Sequence, residues 1–316
     1  MKKVSIVMCT YNGERFLREQ LDSLVNQTYP VYELIVQDDR STDRTISILK
    51  EYQSKYSEIK INIYVNSEQL GYRRNFLTAY QKATGDLIAS CDQDDIWKLT
   101  KLEVLTREIG DCSFIYHNSV LFDQQGELGY TFMKQMPSFP TPLNSLLMPQ
   151  SFGHQILFKR EVLLLLKDFE TYNVSYDYFL NTLCGCIDKV KYVNQILVYW
   201  RRHASATTYS GGRRGVDQKW YGYYKAICSL FYVKNRKITK YYFAMCAQID
   251  ILDKDVNKVI LLLSDGSLKC IIKACLLCLK HKKELVTDKN GILQSLRAFF
   301  IPLFFIRDYG SYILKI

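Results

Sequence analysis

Three carboxylates fall within four positions at Asp92-Gln93-Asp94-Asp95, directly after the short apolar run Leu87–Cys91. Like charges this close repel, and a fold that sets them at the end of a buried strand needs compensation. A divalent cation supplies it, because Mg²⁺ and Mn²⁺ prefer carboxylate oxygens combined with substrate phosphates. The cluster therefore points to a metal–phosphate site at the C-terminal end of a strand, where open α/β sheets bind ligands. A solvated acidic turn capping the next helix fits the same four residues equally well.

Which reading holds depends on what the rest of the chain brings to that strand end. Residues 4–9 form a continuous apolar run, as in a parallel strand buried on both faces. Thr10-Tyr11-Asn12-Gly13 is a turn. Phe16, Leu17, Leu21, Leu24 and Val25 give residues 14–26 helical spacing, and Tyr29-Pro30 ends it. Residues 33–37 read as a second strand ending at Asp38-Asp39, and Ser41-Thr42-Asp43 opens a helix to about residue 56. A third strand (60–65), a third helix (71–83) and Gly85 lead into the fourth strand and Asp92. This alternation predicts a doubly wound α/β domain. Right-handed crossovers put all four strand ends on one rim, so Tyr11, Asp39 and residues 92–95 should converge.

Beyond Lys101 the pattern changes. Residues 113–122 are strand-like, and 131–152 read as an irregular Pro-, Met- and Phe-rich loop over the site. A short strand (155–158) and a helix (160–167) follow. Ser175-Tyr176-Asp177-Tyr178 opens a helix to about residue 186, and residues 190–199 form a strand leading to Trp200-Arg201-Arg202-His203. From Gly211-Gly212 onward the chain reads as helical, with a break near Pro302.

With 316 residues, 48% apolar and 23% charged, the chain fits one large domain or a domain with an appendage, and disorder is excluded. The net charge of +10 is confined to the last third: residues 1–205 hold 23 Lys+Arg against 24 Asp+Glu, and residues 206–316 hold 19 against 8. That asymmetry points to an anionic partner, nucleic acid or lipid. The apolar stretch after Met1-Lys2-Lys3 is too short for a signal peptide, so a cytoplasmic location is expected. The ten Cys read as reduced, buried thiols. Cys270, Cys275, Cys278 and His281 offer zinc-type ligands, but their spacing fits one helix, which argues against a structural zinc site.

Cys9-Thr10-Tyr11-Asn12-Gly13, Gln37-Asp38-Asp39-Arg40-Ser41-Thr42-Asp43, Asn66 to Gly71 with Asn75, and Asp92-Gln93-Asp94-Asp95-Ile96-Trp97 occur in an order that resembles family 2 glycosyltransferases. Within that family the chain looks most like bacterial rhamnosyltransferases and related enzymes of capsule and cell-wall polysaccharide assembly. Tyr176-Asp177-Tyr178 and Trp200-Arg201-Arg202-His203 carry the resemblance to about residue 208. It implies a GT-A fold, Rossmann-like, with a mixed, mostly parallel sheet flanked by helices. The catalytic domain would span 1–208 and a basic helical region 209–316. It also implies metal-dependent, inverting transfer of rhamnose or a hexose from a UDP- or dTDP-sugar to a glycan or lipid-linked acceptor.

The resemblance implies residue roles as well. Tyr11 would stack on the base and Asp39 accept its N3–H, with Thr10, Asn12, Gln93 and Arg74 lining the nucleotide sugar. Asp92 would contact ribose or the metal. Asp94 would be the main ligand of Mn²⁺ or Mg²⁺, joined by His203, and Arg201 or Arg202 would pair with the diphosphate. Asp177 would be the catalytic base that takes the acceptor's proton. The family motif there is often His-Asp-Trp, so the changed neighbours bear on the acceptor. Leu99 stands where relatives often carry Pro. Arg73 is a weaker phosphate candidate, and Gly153-His154-Gln155 would line the acceptor side.

In the last third, residues 261–279 and 298–306 are apolar but shorter than a bilayer span. The basic, aromatic, amphipathic helical region 209–316 as a whole suits peripheral contact with the inner face of the cell membrane, or a homo-oligomer interface. Two other functions compete. A nucleotidyltransferase also uses strand-end carboxylates, but Tyr11-Asn12-Gly13-Glu14 lacks its Gly-rich basic loop. A nucleic-acid binder would carry its cations on the rim, which is acidic here, so no nucleic-acid partner is expected.

Overall fold

The computed structural model describes residues 1–131, 139–149, 151–165, 175–203, 219–287 and 289–313. The expected boundary at 208/209, Gly211-Gly212 and residues 166–167 lie outside the described residues. The chain forms two compact units. The first comprises Met1–Phe139, Ser151–Tyr178 and Lys189–Tyr209; the second comprises Pro140–Gln150, Phe179–Asp188 and Ser210–Ile316.

The first unit opens with β1 (Val4–Thr10), α1 (Leu17–Val25), β2 (Glu33–Asp38), α2 (Thr45–Lys55), β3 (Lys60–Val65), α3 (Gly71–Tyr80) and β4 (Leu87–Cys91). All four strands are parallel, in the order β3-β2-β1-β4. β1, β2 and β4 are buried along their whole length, which is why they read as unbroken apolar runs. Val4, Ile6, Met8, Leu34, Val36 and Ala89 build one core with the inward sides of α1 and α2.

The sheet continues through β5 (Ile96–Trp97), α4 (Lys101–Glu108), β6 (Phe114–Asp123) and β7 (Gly126–Thr131). A 3₁₀ turn, Gly153–Gln155, precedes β8 (Ile156–Lys159), and β9 is Val190–Arg201. β8 lies antiparallel between β4 and β6, β6 pairs parallel with β9, and β5 closes the edge against β9. The sheet is thus mixed and mostly parallel, as expected. Of the α-helix expected over 160–167, the described part, Arg160–Leu165, is a 3₁₀ helix instead.

The second unit holds α5 (Pro142–Leu147), the body of α6 (Tyr176–Ile187), α7 (Lys219–Ser229), α8 (Val233–Cys246), α9 (Lys254–Asp265), α10 (Leu268–Lys280), α11 (Lys282–Leu285) and α12 (Gly291–Ile313). α5 corrects the expectation of an irregular loop over 131–152. Thr141 caps its start, its side chain accepting the Asn144 N–H, and Pro142 fits the first turn, where its missing N–H costs nothing. Residues 132–138 and 150 lie outside the described residues. α12 corrects the expected break, because Pro302 sits inside it. A mid-helix proline costs about 3 kcal/mol. Burial of Ala298, Ile301, Leu303, Phe305 and Ile306 around it, at roughly 1.5–3 kcal/mol for each large side chain, offsets that cost.

Candidate functional site

The loops after β1 and β2 are laced together by the Asp38-Asp39 pair. Asp38 is fully buried and serves the loops: its carboxylate accepts from Thr10 Oγ1 at 2.7 Å and from Ser41 N at 2.8 Å. Asp39 reaches the start of α3, accepting from Asn66 Nδ2 (2.7 Å), Leu70 N (2.7 Å) and Gly71 N (2.8 Å). A carboxylate has about four acceptor positions, so one remains on Asp39. Gly71 at φ +75° enters α3 in the left-handed region.

Among the described residues, two non-glycine residues share that region, Asn12 at φ +46° and Arg40 at φ +67°, and both lie in these loops. Asn12 is held there because its Oδ1 accepts the Thr42 N–H at 2.8 Å. Gln93 braces the facing loop through a two-way amide pair, accepting from Tyr11 N at 2.9 Å and donating to Tyr11 O at 3.0 Å. A Cβ on Gly13 would come within 2.3 Å of Gln93 Oε1, so this brace requires glycine there. The Tyr11 ring is left 46% exposed on a fixed backbone.

At the end of β4 the carboxylates are far less well supplied. Asp95 is fully buried; Oδ1 accepts the Arg201 N–H at 2.9 Å, while Oδ2 has no partner. Burial first, then Asp94 and Asp92, push its carboxyl well above the usual range. Asp92 rises to about 7, by burial and then by repulsion from Asp94 and Asp177. Its side chain keeps 36% exposure, so water tempers that shift.

Facing them is the buried His154, whose Nδ1 lies 3.8 Å from Asp92 Oδ2 and 4.0 Å from Asp95 Oδ2. Those spacings are too long for hydrogen bonds and wide enough for a shared cation. Burial holds His154 neutral, pushing it well below its ordinary value, with Lys101 and Arg202 adding. Asp92, Asp95 and His154 form a group of potential ligands whose atoms all lie within 4.8 Å of one another.

Lys101 underlies the cluster. Fully buried at the first position of α4, it donates from Nζ to His154 O at 2.7 Å and lies 3.3 Å from the Trp97 ring centroid. Burial brings it down to about 7, against the pull of Cys91, Asp95 and Asp92.

Asp177 opens α6. Its Oδ1 accepts from Ser175 Oγ and from Tyr178 N, and its Oδ2 from Gly153 N at 3.1 Å. Burial raises its carboxyl, and these bonds oppose the rise. Tyr176 turns away into an aromatic core with Phe76 and Tyr80. A Cβ on Gly153 would meet the Tyr176 hydroxyl at 2.1 Å, so glycine keeps the 3₁₀ turn close enough to hold Asp177.

At the end of β9 the two arginines separate. Arg201 is buried between the rings of Phe16 and Phe122 and binds Glu19 and the Asp94 carbonyl, so its contacts are with the protein. Arg202 stacks on Trp200 and keeps partial exposure. His203 Nε2 lies 2.7 Å from Asp94 Oδ2, with its ring against Phe16. On α3, Arg74 is exposed and Arg73 is buried beside Tyr72.

Residues 5–164 match Glycosyl transferase family 2. The chain belongs to this family. Among curated family relatives, the E. coli UDP-Glc:alpha-D-GlcNAc-diphosphoundecaprenol beta-1,3-glucosyltransferase WfgD is 34% identical over 128 residues, 40% of this chain and 49% of that protein. The chain spans about half the length, or less, of most of the curated relatives it matches. Among solved structures, Staphylococcus aureus TarS 1–349 in complex with UDP has a TM-score of 0.57 at 16% identity, covering 98% of this chain and 91% of that one. The Pyrobaculum calidifontis mannosyltransferase PcManGT in complex with GDP-Man and Mn²⁺ has a TM-score of 0.53 at 16% identity, covering 99% and 88%. At such identity these likenesses establish the fold, which is GT-A.

Sequence reasoning missed Lys101 and did not place His154 beside the carboxylates. Lys101 lies at a helix N-terminus, where a cation is disfavoured by the helix dipole, and that misplacement is its only signal. His154, expected with Gly153 and Gln155 to line the acceptor side, lies beside the carboxylate cluster.

Proposed function

We propose that this chain transfers a sugar from a nucleotide diphosphate to a glycan or lipid-linked saccharide in bacterial surface polysaccharide synthesis. The observation that carries the reading is the starved carboxylate cluster of Asp92, Asp94 and Asp95, in the same unit as the braced Tyr11 and Asp39 loops. Tyr11 would stack on the base and Asp39 would accept its N3–H with its remaining acceptor position. Thr10, Asn12 and Gln93 hold those loops, and Arg74 and Arg202 supply cations for the diphosphate. Arg201 acts by fixing the Asp94 backbone.

The cation, Mn²⁺ or Mg²⁺, would be held by Asp92 and Asp94 with His203. Bound there, it would neutralise the diphosphate as the anomeric carbon–oxygen bond breaks. The orphaned Asp95 Oδ2 and the facing His154 favour a second ligand set, Asp92, Asp95 and His154. Asp94→Asn and His154→Ala, compared by Mn²⁺ titration, separate the two. Asp177 takes the acceptor hydroxyl's proton as that oxygen attacks the anomeric carbon, which inverts it.

The name of WfgD, with a UDP-sugar donor and a diphosphoundecaprenol acceptor, supports a UDP-sugar and a lipid-linked acceptor here, and with it work at the inner membrane face. Mn²⁺ beside GDP-Man in the PcManGT complex supports a divalent cation. Rhamnose rests on the sequence resemblance alone. Family membership favours glycosyl over nucleotidyl transfer and over nucleic-acid binding. The test is a panel of UDP-, dTDP- and GDP-sugars, rhamnose, glucose and N-acetylglucosamine among them, with Mn²⁺ or Mg²⁺. At least one donor should raise the melting temperature and be hydrolysed only with metal; silence from every donor would overturn the reading.

A further inference from the structure

The apolar segments 261–279 and 298–306 are largely packed inward, although Leu261, Ile272 and Leu276 stay exposed. Ala298, Ile301, Leu303, Phe305 and Ile306 are core residues of the second unit, and Ile271, Ala274, Cys275 and Cys278 are buried on the inner side of α10. Among the described residues, no helix is long and apolar enough to cross a membrane. A run of consecutive exposed apolar and aromatic side chains lies at the corner between α7 and α8. Phe231, Tyr232 and Val233 follow one another there at 73%, 64% and 55% exposure. Tyr221, Tyr224 and Ile227 extend the patch along α7.

Charge surrounds this corner with one sign. Residues 218–249 contain Lys219, Lys225, Lys234, Arg236, Lys237 and Lys240 and no Asp or Glu. Lys234, Lys237 and Lys240 are exposed on α8, and Lys225 lies over the Tyr221 ring on α7. Large apolar side chains projecting from a turn, amid tyrosines and lysines, match the chemistry of a bilayer interface. Phe and Val enter the acyl boundary, tyrosine rings sit at headgroup depth, and lysines meet lipid phosphates.

We infer that the α7–α8 corner docks the protein on an anionic lipid bilayer. A nucleic acid would meet the cations and stack on the tyrosines, but it offers nothing apolar to cover Ile227 and Val233. A second copy of the same patch would set like charge against like. The inference deepens the lipid-linked acceptor reading and rests on it only for its biological purpose.

The test is flotation of the full chain with vesicles of equal parts phosphatidylglycerol and phosphatidylcholine, beside vesicles of phosphatidylcholine alone. At low salt the chain should float with the anionic vesicles only, and the bound fraction should fall as salt rises. Each lysine near the surface is worth about fivefold in partitioning, so Lys234→Gln with Lys237→Gln should weaken it roughly 25-fold. Phe231→Ser with Tyr232→Ser should lose retention while the cations stay. These are surface changes, so circular dichroism and the melting temperature should match the parent. Donor-sugar binding, measured on the same preparations, should not change, so failure of the vesicle test and failure of the glycosyltransferase reading are separable. No flotation at low salt, equal flotation with neutral vesicles, or retention by single-stranded RNA that the same substitutions abolish would each overturn the inference. So would a parental self-associated state that the substitutions dissolve without vesicles.

Discussion

The two acidic pairs of the rim are built on opposite plans. Asp38 and Asp39, at the end of β2, are supplied with donors from three loops, and all but the local Ser41 bond tie one segment of chain to another. Asp92 and Asp95, at the end of β4, share a single backbone N–H between two carboxylates, with another carboxylate at Asp94. The first pair spends its charge on architecture. The second is poorly supplied, so burial and mutual repulsion push its carboxyls up; among the described residues its neighbours are one Arg201 N–H, the neutral His154 and the buried Lys101. Two groups of aspartates, at the ends of strands flanking β1, thus differ by the number of N–H and O–H groups around them, which separates a scaffold from a candidate ligand site.

Asp177 lies between these extremes, well supplied with donors yet raised by burial. Asp177→Asn should lower kcat by about 10²–10⁴-fold while donor affinity stays within twofold of the parent, roughly the scale of a lost general base. Equal loss of donor binding would place Asp177 with the scaffold. Asp94→Asn should cost about 10²–10³-fold in kcat/KM and abolish the Mn²⁺ response in a calorimetric titration. Asp38→Asn should leave Mn²⁺ affinity intact; if it weakens binding as much as Asp94→Asn, the division between the pairs fails.

The expected loss for Asp38→Ala is of stability instead, about 1–3 kcal/mol in urea unfolding, because Thr10 Oγ1 and the Ser41 N–H lose their acceptor. The smallest effect is on pH dependence. The folded-state value of Asp92 lies above its ordinary 3.8, at about 7, so the folded protein binds more protons than the unfolded chain between those values. Its contribution therefore declines as pH rises through that window. Unfolding midpoints should show that slope without metal, and saturating Mn²⁺ should flatten or reverse it. A flat metal-free profile in which Asp92→Asn changes nothing would refute the raised Asp92 carboxyl.

Much of this was legible in the chain. The runs at 4–9, 33–37 and 87–91 named three parallel strands because they are buried along their whole length, and the run at 60–65 named the half-exposed edge strand β3 beside them. The order of carboxylate motifs pointed to the family. Less local features were not legible. Residues 142–147 became a helix through one cap and one proline inside an otherwise irregular stretch. Pro302 remained within α12 because burial outweighed a local preference, and burial is a sum over neighbours distant in sequence. The exposed aromatic run at the α7–α8 corner was not legible either, because which apolar side chains packing leaves outside depends on neighbours distant in sequence.

By itself, then, the sequence determined the parallel alternation, the rim and the acidic residues on it, since each follows from side-chain period and charge read along the chain. Only the tertiary structure decided which acids were supplied with donors and which were not. It set Lys101 beneath His154 across 53 residues and Arg201 against Asp95 across 106. Hydrogen-bond supply and desolvation depend on what surrounds a group in space, and no spacing along the chain encodes that.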